Sequence, residues 1–230
     1  MNALDLNTLG DFKVIPSLAV FKGRPVFVEQ GRYSQIMLGG RPADIGGVAR
    51  PLLGKYGTLH YLDILSFRTG EPVLSTIRAL SELGGELWTD VGARSSDPLI
   101  DAIMAGATTC VVSTKMMANL SEFASAFELT DGLMVQIDID GGILSPDQDI
   151  RAMGPIDFSK EMVDLGITDM VLDIEGGTEK RQGVVRELVR SLDGRARLYI
   201  GMDDLSESEA LRAAGAQGGI ISCSRVLTGG

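Results

Sequence analysis

A ten-residue segment of this chain recurs in altered form, and that repetition limits the folds open to it more than any other feature of the sequence. Ala105-Gly-Ala-Thr-Thr-Cys-Val-Val-Ser-Thr114 returns 109 positions further on as Ala214-Gly-Ala-Gln-Gly-Gly-Ile-Ile-Ser-Cys223. Each copy reads as the end of a helix, a tight glycine turn, a short buried strand and a polar exit. Two further pairs match at nearly the same offset. Leu62-Asp63-Ile64 answers Leu172-Asp173-Ile174, and the helix starting at Asp97-Pro98 answers the one starting at Ser206. Three pairs in one order point to an internal duplication, with halves at about 12–130 and 131–230. An exit with small hydroxyl residues and free backbone N–H groups can hold a phosphate, so the duplication presents two candidate phosphate sites.

Around the two copies, strands alternate with helices. Short apolar runs predict strands at 12–20, 58–65, 86–91, 109–113, 133–139, 169–174, 197–200 and 219–222. Helices are expected at 43–56, 72–83, 97–105, 117–127, 155–165, 182–192 and 206–214. Lys22-Gly23-Arg24-Pro25 turns the chain into a short return strand at 26–29, and 30–40 reads as a polar loop over one end of the fold. Strand–helix alternation predicts a parallel sheet. Eight such units with a half-repeat predict one closed (β/α)8 TIM barrel over 1–230 rather than an open sheet. Only about eight residues follow the last strand, so the eighth helix is expected to be short or missing.

A chain of 230 residues has room for one such barrel. Hydrophobic residues make up 44% and aromatic ones only 5%, so aliphatic side chains fill the core, as in parallel sheets covered on both faces. With a net charge of −10 and no basic patch, nucleic acid and anionic membranes are not expected partners. Cys110, Cys223 and the lone His60 make no zinc pattern, and the cysteines read as small core residues in a reducing cytoplasm. Residues 1–11 are polar and acidic, unlike a signal peptide, and no run approaches the ~18 apolar residues of a membrane span. A cytoplasmic protein with no metal and no cofactor is the expectation.

Several motifs resemble the histidine-biosynthesis barrels, the phosphoribosylformimino-aminoimidazole-carboxamide ribotide isomerase and the cyclase subunit of imidazole glycerol phosphate synthase. Ile15-Pro16-Ser17-Leu18-Ala19-Val20 is similar to their Ile-Pro-Ala-Ile-Asp-Leu. Leu59-His-Tyr-Leu-Asp63 with Gly70-Glu-Pro72 is similar to Leu-His-Leu-Val-Asp and Gly-Lys-Pro, and Gln136-Ile-Asp138 to Ser-Ile-Asp. Trp88-Thr-Asp-Val-Gly-Ala-Arg94 replaces their Gly-Gly-Gly-Ile-Arg. It is closer to the Trp-Val-Asp-Ala-Gly-Ile-Arg of a divergent branch found in methanogens and in methylotrophs with methanopterin-type cofactors. The resemblance implies a sugar isomerase that pairs a first-strand Asp with a fifth-strand Asp as acid and base. Here Ala19 stands at the first position, and it cannot move a proton; Asp138 remains at the second. The histidine-pathway isomerisation itself is therefore not expected.

Sites in such barrels lie at the C-terminal ends of the strands. Those ends carry Ala19 and Lys22, Asp63, Asp90, Ser113 with Thr114 and Lys115, Asp138 and Asp140, Asp173, Gly201 with Asp203, and Ser222 to Ser224. Carboxylates crowded at one mouth raise one another's pKa or attract a cation. Asp63 and Asp173 can equally be turn residues that bind loop amides. Lys22 could hold a phosphate, pair with Asp138, form a Schiff base with a carbonyl, or be a solvated turn lysine. Lys115 is either a phosphate contact or a helix-starting surface lysine. Arg94 either binds phosphate or braces its loop. Gly92, Arg94, Ser113 and Thr114 form the first-half phosphate site; Gly201, Ser222 and Ser224 form the second. Asp203 would repel a phosphate there by roughly 1–3 kcal/mol. The first site is thus expected to be the better kept, and the ligand to carry one phosphate.

These readings converge on an enzyme of isomerase or lyase type acting on a phosphorylated sugar or related metabolite. Asp138 is its expected acid–base group, with Lys22 or Asp90 as partner, in a pathway tied to methanopterin-type one-carbon cofactors. The alternative is a barrel that binds a phosphometabolite or a partner subunit without catalysis, as a homo-oligomer or a hetero-complex.

Overall fold

The first strand does not end where the barrel wall ends. In a computed structural model, described for residues 10–29 and 31–227, β1 (Lys13–Phe21) turns through Lys22-Gly23 into β2 (Arg24–Glu29), which pairs antiparallel with β3 (Arg32–Gln35). A two-residue pair, β4 (Met37–Leu38) and β5 (Arg41–Pro42), follows. The segment expected to be a polar loop is therefore largely a hairpin. Its alternation of Tyr and Val with polar residues, carried on across a glycine turn, is a strand pattern. Residues 1–9 of the acidic N-terminal stretch, Gln30 and residues 228–230 lie outside the described residues.

The remaining strands are β6 (Thr58–Asp63), β7 (Glu86–Asp90), β8 (Thr109–Ser113), β9 (Leu133–Ile139), β10 (Asp169–Ile174), β11 (Arg197–Met202) and β12 (Gly218–Ser222). With β1 they form a parallel wall in chain order, and β12 pairs back with β1 to close it. This is a closed (β/α)8 barrel. Closure depends on glycine: a Cβ on Gly218 would sit 2.5 Å from the Lys13 carbonyl oxygen and 3.0 Å from the Tyr199 ring.

The helices are α1 (Ile45–Tyr56), α2 (Ser66–Thr69), α3 (Leu74–Ser81), α4 (Asp97–Met104), α5 (Leu120–Leu129), α6 (Gln148–Ala152), α7 (Pro155–Asp164), α8 (Thr178–Leu192), α9 (Ser208–Ala214) and α10 (Cys223–Leu227). The last, of five residues, is the short eighth helix. The Ala-Gly-Ala copies fold alike. Gly106 and Gly215 adopt φ of +109° and +104°. Gly106 N donates to Ile103 O and Ala107 N to Ala102 O, while Gly215 N donates to Arg212 O and Ala216 N to Leu211 O.

Five helix starts, those of α1, α3, α5, α8 and α9, differ from expectation by two to four residues. α3 begins at Leu74 because Val73 N donates to the Asp63 carboxylate at 2.8 Å. α5 begins at Leu120 because Asn119 caps it, accepting from Glu122 N at 3.0 Å, while the Met116 and Met117 amides return to Ser113 O. α8 begins at Thr178, earlier than its hydrophobic pattern indicated, directly after Gly177.

Inside the barrel, Ile15, Trp88, Val111, Met134, Val171, Tyr199 and Ile220 form one packed layer. Trp88 and Tyr199 meet edge to face at 4.9 Å. The larger core lies between wall and helices and includes Cys110 and Cys223, both reduced and buried. No helix among the described residues is long and apolar enough to cross a membrane.

Candidate active site

Above that apolar layer the strand ends open on a cavity of about 290 Å3. Ser17 and Ala19 come to it from β1, His60 and Leu62 from β6, Asp90 from β7, Gln136 from β9 and Asp173 from β10. Gly201, Asp203 and Ser222 come from the last two strand ends, and Arg181 from α8. A larger depression of about 780 Å3 lies against the β2–β3 hairpin, but the strand-end side chains do not converge there.

Asp138, fully buried, sits behind this wall. Its Oδ2 accepts from Ser113 Oγ at 2.6 Å, Thr114 Oγ1 at 3.2 Å and Lys115 N at 3.2 Å. Its Oδ1 accepts from Gln136 Nε2 at 2.9 Å and faces Lys115 Nζ at 3.1 Å. Thr114 Oγ1 also accepts from Asp138 N, so β8 and β9 are cross-linked at the mouth. Lys115 Nζ reaches on to Asp173 Oδ2 at 3.4 Å. Partial burial works against the charge of Lys115, but Asp138 and Asp173 outweigh it and hold the ammonium above its ordinary range. Lys115 is thus a fixed cation, and a protonated amine is no nucleophile.

Asp90 is different. It is 3% exposed, and Gly92 N donates to its Oδ1 at 2.9 Å. Burial pushes its carboxyl up to about 7, helped by the negative charges of Asp138 and Asp173 and opposed by the Gly92 amide and Lys115. Such a group exchanges its proton near neutrality, the condition for general acid–base work. Gly92 adopts φ +59°, and a Cβ there would stand 2.7 Å from the Phe67 ring, so the amide is held in place by both conformation and packing. Asp173 is also raised, by burial first and then by Asp138 and Glu175, against the pull of Lys115.

On the opposite lip, Arg181 donates through Nη2 to Asp203 at 2.7 Å, through Nη1 to Glu207 at 2.8 Å and through Nε to Ile174 O at 3.2 Å. The charge of Asp203, expected to repel a phosphate, is therefore paired. Ser222 Oγ and Ser224 Oγ lie 2.9 Å apart beside Gly201, which has no room for a side chain larger than hydrogen without crowding Asp173 Oδ1 at 3.2 Å.

The structure brings Asp90, Asp173, Gly201 and Ser222 to one cavity, with Asp138 directly behind it. It does not bring Lys22 there: Lys22 occupies the exposed hairpin tip at φ +51°, its ammonium 5.3 Å from the Phe21 ring centroid. Asp63 is a loop organiser, accepting from Leu65, Ser66 and Val73 amides, and is not a mouth carboxylate. Arg94 braces the same loop through Phe67 O at 2.9 Å. In the first-half exit, Ser113 and Thr114 hydroxyls are engaged with Asp138, Thr114 N with Gln136 O and Lys115 N with Asp138. The donors expected to cradle a phosphate there close the loop on itself, and in the second exit Ser224 N likewise donates to Ser222 Oγ at 3.4 Å. Among the described residues no group of three or more His, Cys, Asp or Glu side chains is placed to hold a metal.

Ser17, His60, Gln136 and Arg181 were absent from the site residues expected from sequence. The first three share the inward face of their strands with Ala19, Leu62 and Asp138, and period-two alternation from those positions finds them. Arg181 was hidden by the late helix start, which left it in a presumed loop.

A closed parallel barrel with a polar, carboxylate-lined mouth is the class of protein that this fold and site define. The profile of the family described as "Histidine biosynthesis protein" matches residues 13–222, and the chain belongs to that family. It is 29% identical over 222 residues to a 1-(5-phosphoribosyl)-5-((5-phosphoribosylamino)methylideneamino)imidazole-4-carboxamide isomerase of Moorella thermoacetica, covering 90% of each chain. It is 24% identical over 234 residues to the isomerase of the same name from Halobacterium salinarum, covering 93% of this chain and 91% of that one.

Proposed function

We propose that the chain is an enzyme that moves protons on a phosphorylated sugar or a closely related metabolite, by isomerase-type acid–base chemistry at the barrel mouth. The observation that carries this is Asp90: a buried carboxyl in the mouth cavity, held near neutral pKa, beside the Lys115–Asp138–Asp173 cluster. Asp90 takes the proton-exchanging role expected of Asp138. Asp138, ringed by donors, positions Lys115, and Lys115 offers positive charge to the oxygen on which negative charge develops. The phosphate belongs on the second-half lip, at Gly201, Ser222 and Ser224, where Arg181 neutralises Asp203. Membership of a family whose curated relatives isomerise a phosphoribosyl compound supports the substrate class. The resemblance to the methanopterin-associated branch suggests one-carbon cofactor metabolism as the setting.

Ala19, in place of an acid on β1, is what separates the proposed reaction from that of the relatives. The test is carbon-bound hydrogen exchange in D2O. D-ribose 5-phosphate is expected to gain deuterium at C2 with the wild type and not with Asp90→Asn, while the relatives' imidazole-4-carboxamide substrate is not isomerised. Binding of ribose 5-phosphate without any exchange would favour the non-catalytic binding barrel, and isomerisation of the relatives' substrate would return the chain to their reaction.

A further inference from the structure

The apolar layer inside the barrel has a polar gap. Every barrel strand except β6 contributes an apolar or aromatic side chain to it. At the level of Trp88, β6 supplies His60 instead. His60 is 5% exposed and lines the mouth cavity from below. Its Nδ1 lies 2.8 Å from Ser17 Oγ, across the β1–β6 pairing. Its Nε2 has no hydrogen-bond partner among the described residues. A buried polar atom left unpaired is rare in folded proteins, and this one belongs to a residue that lines the cavity.

The tautomer follows from the surroundings. Burial pushes the imidazole down to about 4, so the ring is neutral at physiological pH and carries one N–H. Ser17 Oγ can donate to Nδ1, which leaves the hydrogen on Nε2.

We propose that His60, anchored by Ser17, donates a hydrogen bond from Nε2–H to a carbonyl or hydroxyl oxygen of the sugar in the mouth. This rests on the mouth being the sugar-phosphate site. A neutral imidazole polarises a carbonyl without surrendering its proton, which suits enolisation next to a carboxyl that exchanges one. His60 and Asp90 then divide the work: one holds the oxygen, the other exchanges the proton on the neighbouring carbon.

The chain has a single histidine, so nitrogen-15 NMR of the imidazole reads this residue alone. In the free protein the neutral Nε2–H tautomer is expected throughout the physiological range, and Ser17→Ala is expected to mix the two tautomers. An Nδ1–H ring, or protonation near the ordinary value of about 6.5, overturns the proposal. Adding D-ribose 5-phosphate is expected to shift the Nε2 resonance. His60→Phe, checked for folding by its thermal transition, is expected to bind the sugar phosphate about tenfold more weakly. His60→Gln, which keeps an N–H donor, is expected to retain binding within about threefold. Unchanged binding by His60→Phe, with the Gly201 and Ser222 amides still shifting, overturns the His60 contact and leaves the mouth site standing. No shift at Gly201 or Ser222 in the wild type overturns the mouth site, and the contact with it.

Discussion

Ser113, Thr114, Gln136 and both nitrogens of Lys115 all point donors at Asp138, whereas the Gly92 amide is the hydrogen bond that reaches Asp90 among the described residues. That contrast determines which carboxyl can release and take up a proton. Because the Asp90 pKa is raised, the native state keeps a proton that the unfolded chain releases between about pH 4 and 7. Stability from this group is therefore lost as pH rises through that window. Each unit is worth about 1.4 kcal/mol. Asp90→Asn is expected to be ~2–4 kcal/mol more stable than the wild type at pH 8 and equal to it near pH 4, by urea unfolding, while losing deuterium exchange. Equal stability at both pH values would mean that Asp90 is ionised like an ordinary surface carboxylate. Lys115→Met removes the counter-charge of a fully buried Asp138. A loss of roughly 1–3 kcal/mol is expected, reduced from the fully buried case because Lys115 is partly exposed, and thermal unfolding would detect it.

At the level of elements, the second-half lip is built by α8 and the turn before α9. Arg181, from the first turn of α8, fixes Asp203 and Glu207, and Glu207 in turn accepts from the Asp203 and Asp204 amides. Arg181→Met would leave Glu207 buried and uncompensated. A destabilisation of about 3 kcal/mol is expected, with faster hydrogen exchange across 203–208 and unchanged protection in β8 and β9. Uniform exchange would mean the lip is not held by this residue. The sequence pattern foresaw the strands at this end well, since each is a short apolar run between glycine or polar turns. It did not foresee how the hydroxyls and carboxylates at each exit are engaged. That depends on side chains crossing between strands, such as Ser113 to Asp138 and Arg181 to Asp203, and such partners are set by the closed barrel rather than by neighbours in the chain. Ala19 was legible because its meaning is chemical: no arrangement gives a methyl group a proton to move.

For the molecule as a whole, the two halves meet at β8–β9 and again where β12 returns to β1. The return seam admits no side chain at Gly218, where a Cβ would press on the backbone of Lys13. Gly218→Ala is expected to lose roughly 1–3 kcal/mol and to speed amide exchange in β1 and β12 ahead of β8 and β9. Equal exchange at both seams would contradict the placement of the closure. The duplication read from the repeated Ala-Gly-Ala segment carried the eight-strand barrel, but it implied more symmetry than the mouth possesses. One half supplies a cross-linked carboxylate cluster and the other a lip held by Arg181, Asp203 and Glu207. All of this turns on a single exchangeable proton at the mouth. Carbon-13 NMR of the Asp90 carboxyl, assigned by its loss in Asp90→Asn, measures it directly. A midpoint near 7 is the predicted result, and a midpoint near the ordinary aspartate value of about 4 would contradict the account.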